Sequence, residues 1–192
     1  LQKSGHSEFK DDENLVSFLE DKLKSSLRSE NIVVLSGAGS SIGFGGKTMA
    51  QLWDVVEAQV AEFANILAYV NYTDEQRAQK NLEHLLSILQ IDKQNLENKQ
   101  TDTSQVKKYI NDIESKILNE CSFSLPQLAP HDLFLKKILK ARKNIDPRVK
   151  IFTLNYDRAF ETAADRIGAV LIDGFSLSQR QVFNPSTYDL DI

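Results

Sequence analysis

Residues 33–53, VVLSGAGSSIGFGGKTMAQLW, hold five of the chain's eight glycines between Gly37 and Gly46. An apolar, β-branched run (IVVLS, 32–36) enters them and a helical pattern leaves them. A glycine loop between a strand and a helix is the usual receiver of a phosphate. Bare backbone can approach the ligand there, and amide N–H groups can face its negative charge. Reading this loop decides the fold, because it makes residues 32–36 the first strand of an α/β domain.

Outward from the loop, Thr48 can cap a helix over 49–70, where Leu52, Val56, Val60, Phe63 and Leu67 recur at helical spacing. Upstream, Leu15, Leu19, Leu23 and Leu27 lie four apart on one face of a helix over 13–28. Further helices are predicted at about 74–90, 104–120 and 131–142, with a polar, mobile loop over 91–103. VKIFTLN (149–155) reads as a second strand, YDRAFETAADRIG (156–168) as a helix and AVLID (169–173) as a third strand. Strand, helix, strand at this spacing is a βαβ unit with parallel strands. The fold class expected is α/β, a Rossmann-like parallel sheet incomplete in this chain. A large helical module is inserted over about 48–145. Three strands fall short of an ordinary sheet, so further chain is expected to complete it.

The chain has 192 residues, 41% hydrophobic and 26% charged, with a net charge of −4. That composition fits a folded globular domain and argues against a broad basic surface for nucleic acid. Cys121 is the one cysteine, which excludes an internal disulfide and a cysteine-rich zinc cluster; a buried, inert thiol is expected. No apolar run approaches the ~20 residues of a membrane span, and LQKSGHSEF at the start resembles no leader peptide. A cytoplasmic protein is the expectation.

Three motifs compete for the loop. A Walker A loop would use Gly46, Lys47 and Thr48, but its first glycine position is Ser41, and an extra Gly-Ala-Gly stands between strand and loop. The dinucleotide fingerprint G-x-G-x-x-G fits Gly37 and Gly39 and fails at Ile42. The pattern Gly-Ala-Gly-x-Ser-x-x-x-Gly fits in full with Gly37, Ala38, Gly39, Ser41 and Gly45. The second half of the signal is TLNYD, Thr153 to Asp157, at the carboxyl end of the second strand, where residues point into the ligand crevice of such folds. Asn155 there offers one acceptor and two donors, and Asp157 accepts. Either could instead cap the helix that follows.

The Gly-Ala-Gly loop, the inserted helices and the Thr-x-Asn-x-Asp motif, in that order, resemble the sirtuin family. The departures narrow the resemblance. Sirtuins hold zinc with four cysteines, and their Ile-Pro-x-Phe-Arg segment is replaced here by Gly46-Lys47-Thr48-Met49. The chain is most similar to the sirtuin-like NAD hydrolases of bacterial antiphage defence. GFGGKTM, IFTLNYDRAFETAAD and DGFSLSQRQVFNP resemble the subunit that works with a HerA-type hexameric ATPase, and NLEHLLSIL (81–89) is also family-like. On that resemblance the chain is the N-terminal part of a single NAD-binding domain spanning 1–192.

The resemblance implies NAD as substrate, no metal, a homo-oligomer and a HerA-type partner. It assigns Asn155 and Asp157 to catalysis. It assigns Gly37, Ala38, Gly39, Ser40, Ser41, Phe44, Gly45 and Thr153 to holding the dinucleotide, with Phe44 as a flexible cover or as core packing. It further implies a histidine base in a Leu-His-Gly motif, expected beyond Ile192. His6, His84 and His131 all precede TLNYD. His131 reads as a cap or packed surface residue and His84 as structural. The alternatives are a silent NAD- or ADP-ribose-binding or scaffold subunit, an NAD-dependent deacylase and a P-loop NTPase.

Overall fold

The structure, a computed structural model, describes residues 12–143, 145–175 and 182–189. Two short strands, β1 (Val33–Ser36) and β2 (Lys150–Thr153), form a two-stranded parallel sheet with Val33 opposite Lys150 and Ser36 opposite Thr153. Among the described residues the α-helices are α1 (Asp12–Leu27), α2 (Met49–Gln59), α3 (Phe63–Tyr69), α4 (Asp74–Ala78), α5 (Leu82–Asn98), α6 (Ser104–Cys121), α7 (Pro130–Lys140) and α8 (Ala159–Ile167), and Phe175 and Phe183 form an isolated antiparallel bridge. The chain is a mixed α/β structure, mostly helix.

Its apolar residues collect in two cores. The first belongs to the helical module between the strands. Leu52, Trp53 and Val56 of α2 meet Leu82, Leu85 and Leu89 of α5 and Val106, Ile110 and Ile113 of α6. The Trp53 ring stands edge-on to Phe63 at 5.2 Å and stacks with Tyr72 at 5.9 Å. The second core lies under the sheet. Val34 and Ile151 point down onto Leu135 and Ile138 of α7 and Ala159, Ala163 and Ala164 of α8. Alternation along each strand sends Val33, Leu35, Phe152 and Leu154 to the opposite face, where all four are exposed. Arg142 fastens the entry to β1: its guanidinium donates to the carbonyls of Ser29 (2.6 Å), Glu30 and Pro147 (3.0 Å).

The structure departs from the sequence reading in five places. The helix expected over 49–70 breaks after Gln59. Val60 turns extended (ψ 108°) while its amide still reaches Val56, which keeps Val60 buried and re-aims α3 so that Phe63 meets Trp53. The helix expected over 74–90 is two helices, because Lys80 takes a left-handed φ of 49° and Asn81 caps a new one by accepting from the His84 amide at 3.0 Å. The loop expected over 91–103 is helical to Asn98, held by Leu96, which lies seven residues from Leu89 and packs on the same core. The leucine face of α1 is largely exposed, and Leu27 alone of its four leucines reaches a core. The third strand expected over 169–173 does not form. The segment runs between left-handed turns at Gly168 (φ 70°) and Gly174 (φ 87°) and joins no ladder, while the Asp173 carbonyl accepts from the Tyr188 hydroxyl at 2.9 Å. Of the final segment, 176–181 and 190–192 lie outside the described residues, as do His6 and the chain start.

Candidate functional site

Because β1 and β2 pair in parallel with Ser36 opposite Thr153, their carboxyl ends lie side by side and the two motifs that leave them meet. The glycine loop coils into two short 3-10 turns, Ala38–Ser40 and Ile42–Phe44. Its internal bonds consume the amides of Ser40, Ser41, Phe44, Gly45 and Gly46. The amides of Ala38 and Gly39, first in the turn, have no intrahelical acceptor. A Cβ at Gly37 or Gly39 would meet nothing within 4 Å, so this stretch of backbone lies open. Gly37 itself is extended (φ −129°), a conformation any residue adopts, so no conformational need explains that glycine.

Gly45 and Gly46 have structural reasons of their own. Gly45 has φ 111°, and a Cβ there would sit 3.3 Å from Phe123. At Gly46 it would stand 2.6 Å from Cβ of Ser41. The helix behind the glycine loop begins at Met49, with Thr48 as its cap, as the spacing predicts. A capping box between Thr48 and Gln51 engages the Gln51 amide of its first turn and the amide of Thr48 itself.

Asn155 ties the two motifs together. Its Nδ2 donates to Ser40 Oγ at 3.2 Å and to Ser41 Oγ at 3.1 Å. Ser40 in turn accepts from Ser36 Oγ at 2.9 Å and donates to the Gly37 carbonyl at 3.0 Å. Ser41 is fully buried. Both donors of the carboxamide are thus spent on the loop, while its Oδ1 is buried and takes no hydrogen bond from any described residue. A buried carbonyl oxygen without a donor is costly unless something supplies one. Thr153 Oγ1 accepts from the Asn155 amide at 3.1 Å and shapes the same turn. Asp157 Oδ1 accepts from the Ala159 amide at 3.0 Å, just ahead of α8, whose N-cap position is Arg158 with no side-chain cap bond.

Phe44 leans inward from the second 3-10 turn. It is half-buried against the second core, its ring 6.1 Å from His131 and steeply inclined to it. His131 is a correction to the sequence reading: it lies in the core, 4% exposed, edge-on to Phe160 at 5.0 Å, and neither ring nitrogen has a partner among the described residues. Burial pushes its pKa below the ordinary histidine value, while the charges of Asp157 and Asp132 pull the other way. Nothing in the local pattern PHDLFL signals that burial. His84 is structural as expected, its Nδ1 3.1 Å from the Tyr72 hydroxyl. Cys121 is half-buried, and burial raises its thiol pKa.

Lys47, the residue a Walker loop would aim at phosphate, is 3.0 Å from the Glu120 carboxylate of α6. The Tyr156 hydroxyl donates to the Glu83 carboxylate of α5. Sequence reasoning missed both acidic partners, which lie 73 residues from their target in both pairs. Among the described residues no group of three or more His, Cys, Asp or Glu side chains is placed to hold a metal ion, and no helix is long and apolar enough to cross a membrane. Compared with protein-family models the chain matches none, and a search of the curated proteins finds no match.

Proposed function

We propose that the crevice between the glycine loop and the TLNYD turn binds NAD in a Rossmann-like, sirtuin-type manner, and that the protein hydrolyses the bond between nicotinamide and ribose. The observation that carries this reading is the Asn155 carboxamide. It is fixed by Ser40 and Ser41 against an open glycine backbone and keeps a buried, unsatisfied oxygen. In the proposed site Ala38 and Gly39 offer amides to the pyrophosphate, and Asn155 offers its oxygen to a ribose hydroxyl or to the attacking water. The reaction breaks the C1′–N bond with its electron pair leaving on nicotinamide, and forms a C1′–O bond to water, whose surplus proton passes to solvent. The leaving group departs neutral from a cation, so it needs no strong acid. The demand falls on stabilising positive charge at the sugar, which the Asn155 oxygen and the remaining oxygen of Asp157 suit.

The biological setting proposed with it is bacterial antiphage defence, as a homo-oligomer working with a HerA-type ATPase. Nicotinamide release by the full chain, with and without that partner, tests the reading. Asn155→Ala is expected to abolish release and Lys47→Ala to reduce it mildly. Loss of nucleotide binding in Lys47→Ala with Asn155→Ala unaffected would instead favour a P-loop NTPase.

A further inference from the structure

The segment NLEHLLSIL, residues 81–89, has no part in the site as described. Most of it builds the helical module. Asn81 caps α5, Leu82, Leu85 and Leu89 are core, and His84 meets Tyr72. Glu83 does none of this. It stands in the first turn of α5, and its carboxylate accepts the hydroxyl of Tyr156.

Tyr156 is the one residue between Asn155 and Asp157. Its neighbours are both engaged on the sheet side of the site. Asn155 is bonded to the loop serines, and Asp157 accepts from the Ala159 amide at the start of α8. Of the three, Tyr156 is the one hydrogen-bonded across to the helical module. Burial and the Glu83 carboxylate both raise the phenol's pKa, which keeps it protonated and able to donate. The glycine loop has a matching tether. Lys47 pairs with Glu120 at 3.0 Å, the two side chains 30% and 24% exposed. Glu83 sits on α5 and Glu120 on α6, and these helices pack on one another through the shared core. The module therefore grips each half of the crevice by one acidic side chain.

We infer that Glu83 is a positioning residue: through the Tyr156 hydroxyl it sets the turn that presents Asn155 and Asp157, so that the inserted helices fix the spacing of the two halves of the site. The inference rests on the proposed NAD site for its kinetic consequence but not for its structural one.

The test uses the full chain with Tyr156→Phe, Glu83→Ala, the double variant, and Glu83→Gln, which retains an acceptor oxygen. Glu97→Ala, which breaks an exposed ion pair with Lys107 within the module, is the control. Nicotinamide release is expected to lose about tenfold in kcat in each disruptive single variant. KM should stay within about twofold, because a misplaced turn harms the reacting geometry more than the grip on the dinucleotide. The double variant should be no worse than either single, as for two ends of one contact. Glu83→Gln should restore most of the rate, and Glu97→Ala should match the parent. Multiplying losses, a loss confined to KM, or a Glu83→Gln as impaired as Glu83→Ala would overturn the inference.

A second readout needs no substrate. The 1H–15N signals of the Asn155 side-chain amide should move in Tyr156→Phe and Glu83→Ala and hold still in Glu97→Ala. Unmoved Asn155 signals would overturn the positioning role whatever the kinetics show. Signals that move in a protein that releases no nicotinamide would leave the positioning role standing and remove the NAD hydrolase reading alone.

Discussion

Gly39→Ala and Gly46→Ala separate binding from folding, although both lie in one loop. A methyl at Gly46 would stand 2.6 Å from Cβ and 2.8 Å from the carbonyl carbon of Ser41. Both lie well inside the ~3.5–4.0 Å of a comfortable carbon contact. Ser41 has nowhere to go. It is 0% exposed, its carbonyl accepts from the amides of Phe44 and Gly46 at 2.9 Å each, and its hydroxyl accepts from Asn155. Overpacking costs about 1–3 kcal/mol, and a clash with fixed backbone belongs in the upper part of that range. In a domain of this length each kcal/mol lowers Tm by about 2–4 °C, so Gly46→Ala is expected to melt roughly 4–12 °C early. At Gly39 the same methyl meets nothing within 4 Å. Its stability cost should stay under about 0.5 kcal/mol. It would, however, stand where the pyrophosphate is proposed to lie, and a loss of about 1.4 kcal/mol or more, tenfold in Kd, is expected. Thermal denaturation and NAD titration calorimetry on both variants read the two effects. A Gly46→Ala protein that melts with the parent, or a Gly39→Ala protein that binds NAD as the parent does, refutes the reasoning.

Further outcomes follow from other parts of the structure. Ile113→Ala, at a fully buried position where α5 and α6 meet, is expected to cost about 2–5 kcal/mol in denaturant unfolding. Lys47→Ala breaks a part-exposed pair with Glu120 and should cost no more than about 1 kcal/mol, with NAD affinity changed by only a few-fold in calorimetry. Burial lowers the folded pKa of His131 below its ordinary value of 6.5. The unfolded chain therefore binds the proton more readily. Stability is intact above that value and falls as pH drops below it. His131→Phe should flatten this acid loss in Tm scans from pH 7.5 to 5.

The two strands that pair were legible because β-branched runs end in loops of distinctive composition, at Gly37 and at Asn155, but the same cue placed a third at 169–173, where none forms. The start of α2 was legible because Thr48 and Gln51 carry their own cap. The break at Val60 was not, since the apolar spacing runs on unbroken through it. Residues 91–98 are polar enough to read as loop, yet Leu96 packs on the module core, Asp92 accepts from the Tyr69 hydroxyl and Glu97 pairs with Lys107. The meeting of Asn155 with Ser40 and Ser41 follows from parallel pairing of the two strands, so the centre of the candidate site was within reach of the sequence. Its flanks were not. Glu83 and Glu120 are ordinary acidic residues on amphipathic helices, and nothing local marks them as reaching the loop or the turn. His131 likewise shows its burial only once α7 is packed against Phe44 and Phe160.

A crystal structure of the full chain soaked with NAD addresses the central claim most directly. The account expects the pyrophosphate against the Ala38 and Gly39 amides and the Asn155 oxygen within hydrogen-bond distance of the nicotinamide ribose or its water. A nucleotide held by Lys47 with Glu120 displaced, or lying away from Asn155, would contradict it.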